Sequence, residues 1–385
     1  MSSSTDAVTV RPADGWGDRK RFVDVPYDFY PDRYPRWVPP LRRDVKSTLD
    51  PGTNAFFEHG DMQLFLAEDA SGAVVGRIAG IVNGMHLQKY EDATGFFGFF
   101  ECEEDYAVAE ALLDAAAEWL RDRGLRRMRG PANPSLNDTA GLLVDGFEFY
   151  PSLLMPYNPP YHEDFLERYG FERIMTMWSF YAHVKYAKTD RLRRGTEIAK
   201  RRTPGLELRT LNMDRFEEEV QAVREIYNEA WSDNWGHVPM TEAEFDQLVE
   251  ELEQIVDPNM VFFVEHEGRP IGFSVSLPDV NEALRHVPDG RLFPLGLPKL
   301  LLHAHYGIDN LRMPLMGIRP EYRGKGIDAM LILETMTSAI PNGYVGCETS
   351  WILDTNDRLL NMIDKIGATQ DKEYAMFEAS ISSVE

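Results

Sequence analysis

The residues best suited to chemistry lie between Leu311 and Ile332. An apolar run, Leu311-Arg312-Met313-Pro314-Leu315-Met316-Gly317-Ile318, reads as a strand, and Arg323-Gly324-Lys325-Gly326-Ile327 then leads into a helical stretch. Strand, basic glycine loop and helix in that order build an anion site. The glycines let the backbone approach a charged ligand, and the first helical turn points free N–H groups at it with the positive end of the dipole behind them. A phosphate-bearing cofactor is the expected occupant. Other reactive residues are less well placed. His303-Ala304-His305 is expected on a strand, with both imidazoles on one face, but neither a third histidine nor a matching carboxylate lies near it, so no metal site is expected. Ser350 has no Gly-x-Ser-x-Gly elbow around it. Cys102 and Cys347 are far apart and form no Cys-x-x-Cys pair, which argues against a disulfide framework or a thiolate zinc site.

The elements that must position the loop occur twice. Met62–Ala67 and Val74–Ile81 flank a turn at Asp69–Gly72, and Met260–Val264 and Ile271–Val275 flank Glu267-Gly268; both pairs read as β-hairpins. Glu167-Arg168-Tyr169-Gly170 and Asp364-Lys365-Ile366-Gly367 each end a helix with a glycine suited to a left-handed cap. The span from hairpin to capping glycine is nearly the same in both halves, so a duplicated domain is expected, divided as residues 1–190 and 191–385. Between the landmarks lie amphipathic stripes: Val108, Leu112, Ala115, Ala116, Trp119 and Leu120 in the first half, and Phe216, Val220, Val223, Ile226, Tyr227 and Phe245, Leu248, Val249, Leu252 in the second. These stripes are expected to be core. Helices interrupting a mostly antiparallel sheet, repeated twice, indicate an α+β protein.

Composition sets limits on partners. The chain has 385 residues, 43% hydrophobic and 27% charged, enough for two packed cores. A net charge of −23 argues against nucleic acid, and against a transferase that must grip tRNA, because such a surface repels phosphates. The main exception is the basic stretch containing Lys185, Lys188, Arg191, Arg193, Arg194, Lys200, Arg201 and Arg202, read as a solvated helix or linker between the halves. No apolar run is long enough to cross a bilayer, and no leader pattern opens the chain. A cytoplasmic location, no membrane partner and a monomeric or homodimeric state are expected.

From about Leu206 to Glu378 the order of hairpin, strand, Arg323-Gly324-Lys325-Gly326-Ile327, helix, strand, Asn356 and then Met362-Ile363-Asp364-Lys365-Ile366-Gly367-Ala368 resembles the GNAT superfamily of acyl-CoA-dependent N-acyltransferases. The resemblance implies two tandem GNAT-like domains. It also implies that the main chain of Met316, Gly317 and Ile318 pairs with the pantetheine arm, that Arg323, Gly324, Lys325, Gly326 and Ile327 hold the pyrophosphate, and that Asn356 belongs to the cofactor site. The implied reaction moves acetyl from acetyl-CoA to the primary amine of a small molecule by direct attack in a ternary complex. Asp328 stands where the family has a small residue, and a carboxylate there opposes a diphosphate unless it caps the helix and points away. Ile363 stands where the family often has its general-acid tyrosine. The first half looks like a worn copy, with Phe99-Phe100-Glu101-Cys102-Glu103-Glu104-Asp105 in place of the glycine loop, and is expected to be structural or substrate-shaping.

Acyl transfer to an amine needs a neutral nucleophile, a stabilised oxyanion and a protonated leaving thiolate. Glu348, on the strand after the cofactor helix, is the expected base, with Ser350 and Ile352 on its face and Cys347, Thr349 and Trp351 on the other. Tyr374, with Tyr344 as an alternative, is the expected acid, and a strand amide near Gly317 or Ile318 the oxyanion donor. The loops Gly130–Thr139 and Asn158–Tyr161, with Tyr157 and Trp351, are candidate walls of an acceptor pocket. A catalytically silent protein that binds a CoA ester for sensing, or serves as a scaffold, is the alternative.

Overall fold

The computed structural model describes residues 8–232 and 234–381. Its first half contributes strands β1 (Thr9–Pro12), β2 (Asp61–Glu68), β3 (Val74–Val82), β4 (Thr94–Cys102), β5 (Arg127–Gly130), β6 (Ala132–Asn133), β7 (Thr139–Ala140), β8 (Leu142–Asp145) and β9 (Glu172–His183). Helices α1 (Trp16–Phe29), α2 (Arg42–Thr48), α3 (Gly84–Tyr90), α4 (Tyr106–Arg121) and α5 (Tyr161–Tyr169) lie between them. The second half repeats the plan with α6 (Asp190–Arg202), β10 (Leu206–Thr210), α7 (Phe216–Trp231), α8 (Glu242–Glu253), β11 (Val261–His266), β12 (Arg269–Pro278), α9 (Asn281–Leu284) and α10 (Gly296–Tyr306). It closes with β13 (Asn310–Ile318), α11 (Ile327–Ala339), β14 (Gly346–Leu353), α12 (Asp357–Ile366) and β15 (Thr369–Ser380).

Local signals account for most of these boundaries. Asp105 caps α4 by accepting the Ala107 N–H at 2.9 Å, and the stripe Val108, Leu112, Leu113, Ala116, Ala117 and Leu120 is buried against β2 and β3. Each leucine there contributes on the order of 1.5–3 kcal/mol. α5 and α12 end where sequence places them, at Gly170 and Gly367, both with positive φ. Thr241 and Glu244 form a reciprocal capping box at the start of α8.

Thirteen strands form one mixed, mostly antiparallel sheet in the order β1-β2-β3-β4-β5-β15-β9-β14-β13-β12-β11-β10, with β8 also paired to β15, while β6 and β7 pair apart from it. Each half thus ends on a strand that lies in the other's territory. β15 pairs with β5 of the first half, β9 pairs with β14 of the second, and β9 and β15 pair with each other along most of their length. These pairings cross the division expected at residue 190.

Two local expectations change. His303 and His305 lie on helix α10 rather than on a strand, and the His303 ring stacks on His286 at 3.5 Å. No cluster of three metal-binding side chains occurs among the described residues. The basic stretch from Arg191 on forms α6, with Lys185 and Lys188 in the connection before it; α6 packs on α11 through Leu192 and Ala199, and a Cβ on Gly195 meets the Ala329 Cβ at 2.9 Å. Among the described residues no helix is long and apolar enough to cross a membrane.

Candidate active site

β13 and β14 run parallel and pair from Asn310↔Gly346 to Met313↔Thr349, after which they part. Pro314 has no N–H to continue the ladder, and β14 shifts register against β9 between Thr349 and Ile352. β13 stays bound to β12 as far as Ile318, so its other edge faces an open wedge over residues 314–318. Met316 and Ile318 line this wedge, and the Met316 carbonyl accepts a hydrogen bond from the Trp231 indole at 3.4 Å. Gly317 turns away from it: a Cβ there meets the Phe273 ring at 2.7 Å and Ile226 at 3.2 Å, so glycine is required by close packing of α7 and β12.

The glycine loop sits at the end of the wedge. Buried Arg319 ties the strand end to Glu225 and Glu229 on α7 and to the Pro270 carbonyl, and a short turn at Pro320–Tyr322 leads to Arg323. The Arg323 guanidinium donates to the Ala230 carbonyl at 2.6 Å, which fixes the loop against the end of α7. Gly324 and Gly326 have φ of +78° and +89°, and a Cβ on Gly326 approaches the Gly195 carbonyl to 2.8 Å. Lys325 lies over the Tyr322 ring at 4.6 Å, and Ile327 opens α11 into the core. Asp328 accepts the Ala329 N–H at 3.0 Å and pairs with Arg358, so its charge is answered by a cation. Outside the loop a second hollow of about 570 Å³ is lined by Arg191, Gly324, Gly326, Arg358 and Lys365 among others, a cationic setting for an anion. Asn356 lines the wedge while capping α12 through the Leu359 N–H at 3.2 Å.

The wedge opens into a cavity of about 720 Å³ between α7, α8, the sheet and the loop after β6. Phe216, Val220, Val223 and Tyr227 of α7 and Phe245, Leu248, Val249 and Leu252 of α8 line it. Those stripes are therefore cavity wall as well as core, contrary to expectation; periodicity reports which side is apolar, not whether that side is filled. Trp351 lines the cavity and Tyr157 does not, its hydroxyl donating to the Phe147 carbonyl at 3.2 Å. Ile363 also lines the cavity. The strand alternation expected around Glu348 fails, because the register shift brings Thr349, Ser350, Trp351 and Ile352 all to the wall.

The expected base and acid lie behind that wall. Glu348 is buried and outside the cavity lining; it accepts hydrogen bonds from Lys372 at 2.8 Å, Ser152 at 2.6 Å and Ser350 at 2.9 Å. Burial alone would raise its carboxyl, but the Lys372 ammonium, with help from Ser152 and Arg312, holds it below the usual carboxylate value. A carboxylate so paired is a weak base. Tyr374 is fully buried in an apolar cluster with Met177, off the cavity lining, and among the described residues its hydroxyl has no hydrogen-bond partner. Tyr344 binds Asp257 at 3.0 Å in another cluster. Glu348 instead anchors a network: Arg312, on the cavity wall, donates to Ser350 Oγ at 3.1 Å, to the Ser350 carbonyl at 3.2 Å and to the Leu153 carbonyl at 2.6 Å.

Asp138 lies on the cavity lining, as do Glu219, Glu253 and Asp328; Glu219 pairs with Arg209 and Asp328 with Arg358. The Asp138 residue is itself exposed, and partial desolvation by the surrounding chain, with the charges of Glu244 and Glu251, shifts its carboxyl upward against opposing hydrogen bonds from Ser135. Only the loop containing it carried a signal in sequence, through its density of turn formers.

Two successive hairpin-and-wedge folds joined through one sheet define the class of architecture, a tandem GNAT-like fold. A tandem GNAT protein from the clavulanic acid biosynthesis pathway superimposes with a TM-score of 0.57 over 98% of this chain and 100% of that one, at 12% identity, which speaks for the fold. No family model matches the sequence. Two curated proteins match along nearly their whole lengths. The Bacterial ceramide synthase of Caulobacter vibrioides (strain NA1000 / CB15N) is 36% identical over 390 residues, 98% of this chain and 99% of that protein. Protein YghO of Escherichia coli (strain K12) is 34% identical over 375 residues, 94% of this chain and 93% of that protein. The chain belongs to the family of these two proteins.

Proposed function

We propose that this protein is an N-acyltransferase that moves a long-chain acyl group from a phosphopantetheine thioester, acyl-CoA as donor, to the amine of a long-chain amino alcohol. The observation that carries the reading is the open wedge between β13 and β14 leading into an apolar cavity of about 720 Å³. Acetyl needs almost none of that space, whereas cavities of about 300–1,000 Å³ hold much larger apolar ligands. A relative named ceramide synthase supports the same direction, since ceramide is the amide of a fatty acid with such an amino alcohol. The glycine loop with Arg323 and Lys325, and the neighbouring Arg191 and Arg358, takes the donor's phosphates.

In this reading the free amine attacks the thioester carbonyl, and a main-chain N–H of the 316–318 edge receives the oxyanion. Asp138 takes the proton released as the C–N bond forms. The C–S bond breaks and that proton passes to the departing thiolate, leaving an amide and a free thiol. A carboxyl raised above its ordinary value is better matched to accepting and returning a proton than a free one. Glu348 and Lys372 hold Ser350 and Arg312 in place and so position the wall.

Thiol release tests this, with palmitoyl-CoA and acetyl-CoA each offered to a sphingoid amine and to small amino acids. Palmitoyl-CoA with the sphingoid amine is expected to be the preferred pair by about 100-fold or more in kcat/KM. Equal turnover of acetyl-CoA, or release that no amine accelerates, would sink the proposal.

A further inference from the structure

We infer that α10 and the turn before it form a docking surface for an anionic lipid bilayer. The inference does not rest on the acyl-transfer reading. Phe293, Leu295, Leu301, Leu302 and Tyr306 expose between 56 and 78% of their surface, a run of large apolar side chains that no other part of the described chain covers. Only the opposite side of the helix is held: His303 stacks on His286, and Gly296 packs on Arg291 and Val287. Contiguous exposed apolar surface of this kind marks an interaction site, and an apolar helix face with aromatic residues and flanking cations is the pattern that lies in a lipid headgroup layer.

Charge selects the occupant. The chain carries 63 acidic residues, yet from Arg291 to Ile308 there is no Asp or Glu, while Arg291, Lys299, His303 and His305 fall in that segment. A protein of net charge −23 is repelled by an anionic membrane over most of its surface, which leaves its cationic stretches to approach, and α10 with the turn before it, unlike the more strongly basic α6, joins its cations to a run of five exposed large apolar side chains. A second copy of the chain fits less well, because a two-fold pairing of this patch would set cation against cation over a segment with no carboxylate.

Position gives the patch a purpose. α10 packs on α9, whose Asn281 binds the Pro151 carbonyl at 2.9 Å and whose neighbour Asp279 receives the Leu153 N–H at 2.8 Å. Leu154, next along, lines the large cavity and is itself exposed, as is Phe149. A bilayer against α10 therefore lies one short helix from the cavity wall. The expectation of no membrane partner rested on the want of a spanning segment, and docking at the surface needs none.

Sedimentation of the full chain with vesicles decides the matter. We expect about tenfold or greater binding to phosphatidylcholine vesicles containing phosphatidylglycerol than to phosphatidylcholine alone at low salt. The double variant Leu301→Glu/Leu302→Glu should lower binding about tenfold or more, and Arg291→Glu/Lys299→Glu should lower it on the anionic vesicles by a similar factor. Thermal melting should stay near wild type in both, as the altered side chains are exposed. Absence of vesicle binding, binding unaffected by either variant, or a wild-type dimer that Leu301→Glu/Leu302→Glu turns into a monomer would each overturn the proposal. Because the readout is binding alone, it stands or falls separately from any acyl transfer.

Discussion

The two halves open the same wedge and fill it differently. In the second, β13 and β14 part after Met313↔Thr349 and leave a cavity; in the first, β4 and β5 part after Phe96↔Arg129 and the chain fills the gap itself. There β6 lies so close that a Cβ on Gly98 would fall 1.9 Å from the Ala132 carbonyl, and Asn133 accepts the Phe99 N–H at 2.6 Å while Phe99 takes a positive φ. Half-buried Glu101 and buried Arg77, 3.6 Å apart, close the end where a phosphate loop stands in the other half. The filler is not idle: past Asn133 the same segment brings Leu136, Asn137 and Asp138 to the wall of the second half's cavity. The segment that fills one wedge thus supplies a wall to the other half's cavity.

Substitutions can break or sharpen this contrast. The largest effect is expected from Asp138→Asn, which should lower kcat about 10²–10⁴-fold with thioester affinity nearly unchanged. In the wild type the rate should rise with pH as the raised Asp138 carboxyl loses its proton, and a variant that keeps both rate and profile would remove Asp138 from the chemistry. Next comes Asp279, pushed up to about 7 by burial and the Glu348 charge from an ordinary value of 3.8. The folded chain keeps a proton that the unfolded chain releases near 3.8, so this group favours folding most below that pH and its contribution fades as pH rises to about 7. Asp279→Asn should remove that slope, leaving the variant relatively more stable at pH 8 than at pH 4 by on the order of 2–4 kcal/mol; parallel denaturation curves at both pH values would refute this.

A smaller effect follows from imitating the first half. Val249→Trp, on α8 facing the cavity, should cut turnover of palmitoyl-CoA by about tenfold or more while sparing shorter donors, measured as a kcat/KM ratio. Loss of both in equal measure would mean that the cavity does not hold the acyl chain. The smallest is Asn133→Ala, which strips one half-buried hydrogen bond from the filler and should lower stability by about 0.5–1.5 kcal/mol in urea melts, with CoA affinity unchanged. A fall in CoA affinity would show the two wedges to be coupled.

Much of this was legible in sequence where the signal is local. The hairpins, the capping glycines and the loop from Arg323 to Gly326 depend on turn residues and periodicity that act over a few positions. The fate of Glu348 was not legible, because its partner Lys372 arrives on another strand and the register shift at Thr349–Ile352 has no glycine or proline to announce it. α10 was misread because Pro298 breaks the look of a helix; it stands in the first turn, where the missing N–H costs nothing. Asp138 was hidden among turn formers, since its place on the cavity lining and the charges of Glu244 and Glu251 on α8 come from far along the chain.

The traded end strands β9 and β15 carry a further consequence for anyone dividing the gene. A fragment stopping before Asp190 would present β5 and β9 without the strand that belongs between them, and the remaining fragment would lack the neighbour of β14. Bare backbone edges of that length pair with whatever they meet. Co-expressed, the pieces would complement each other; made singly, each should precipitate.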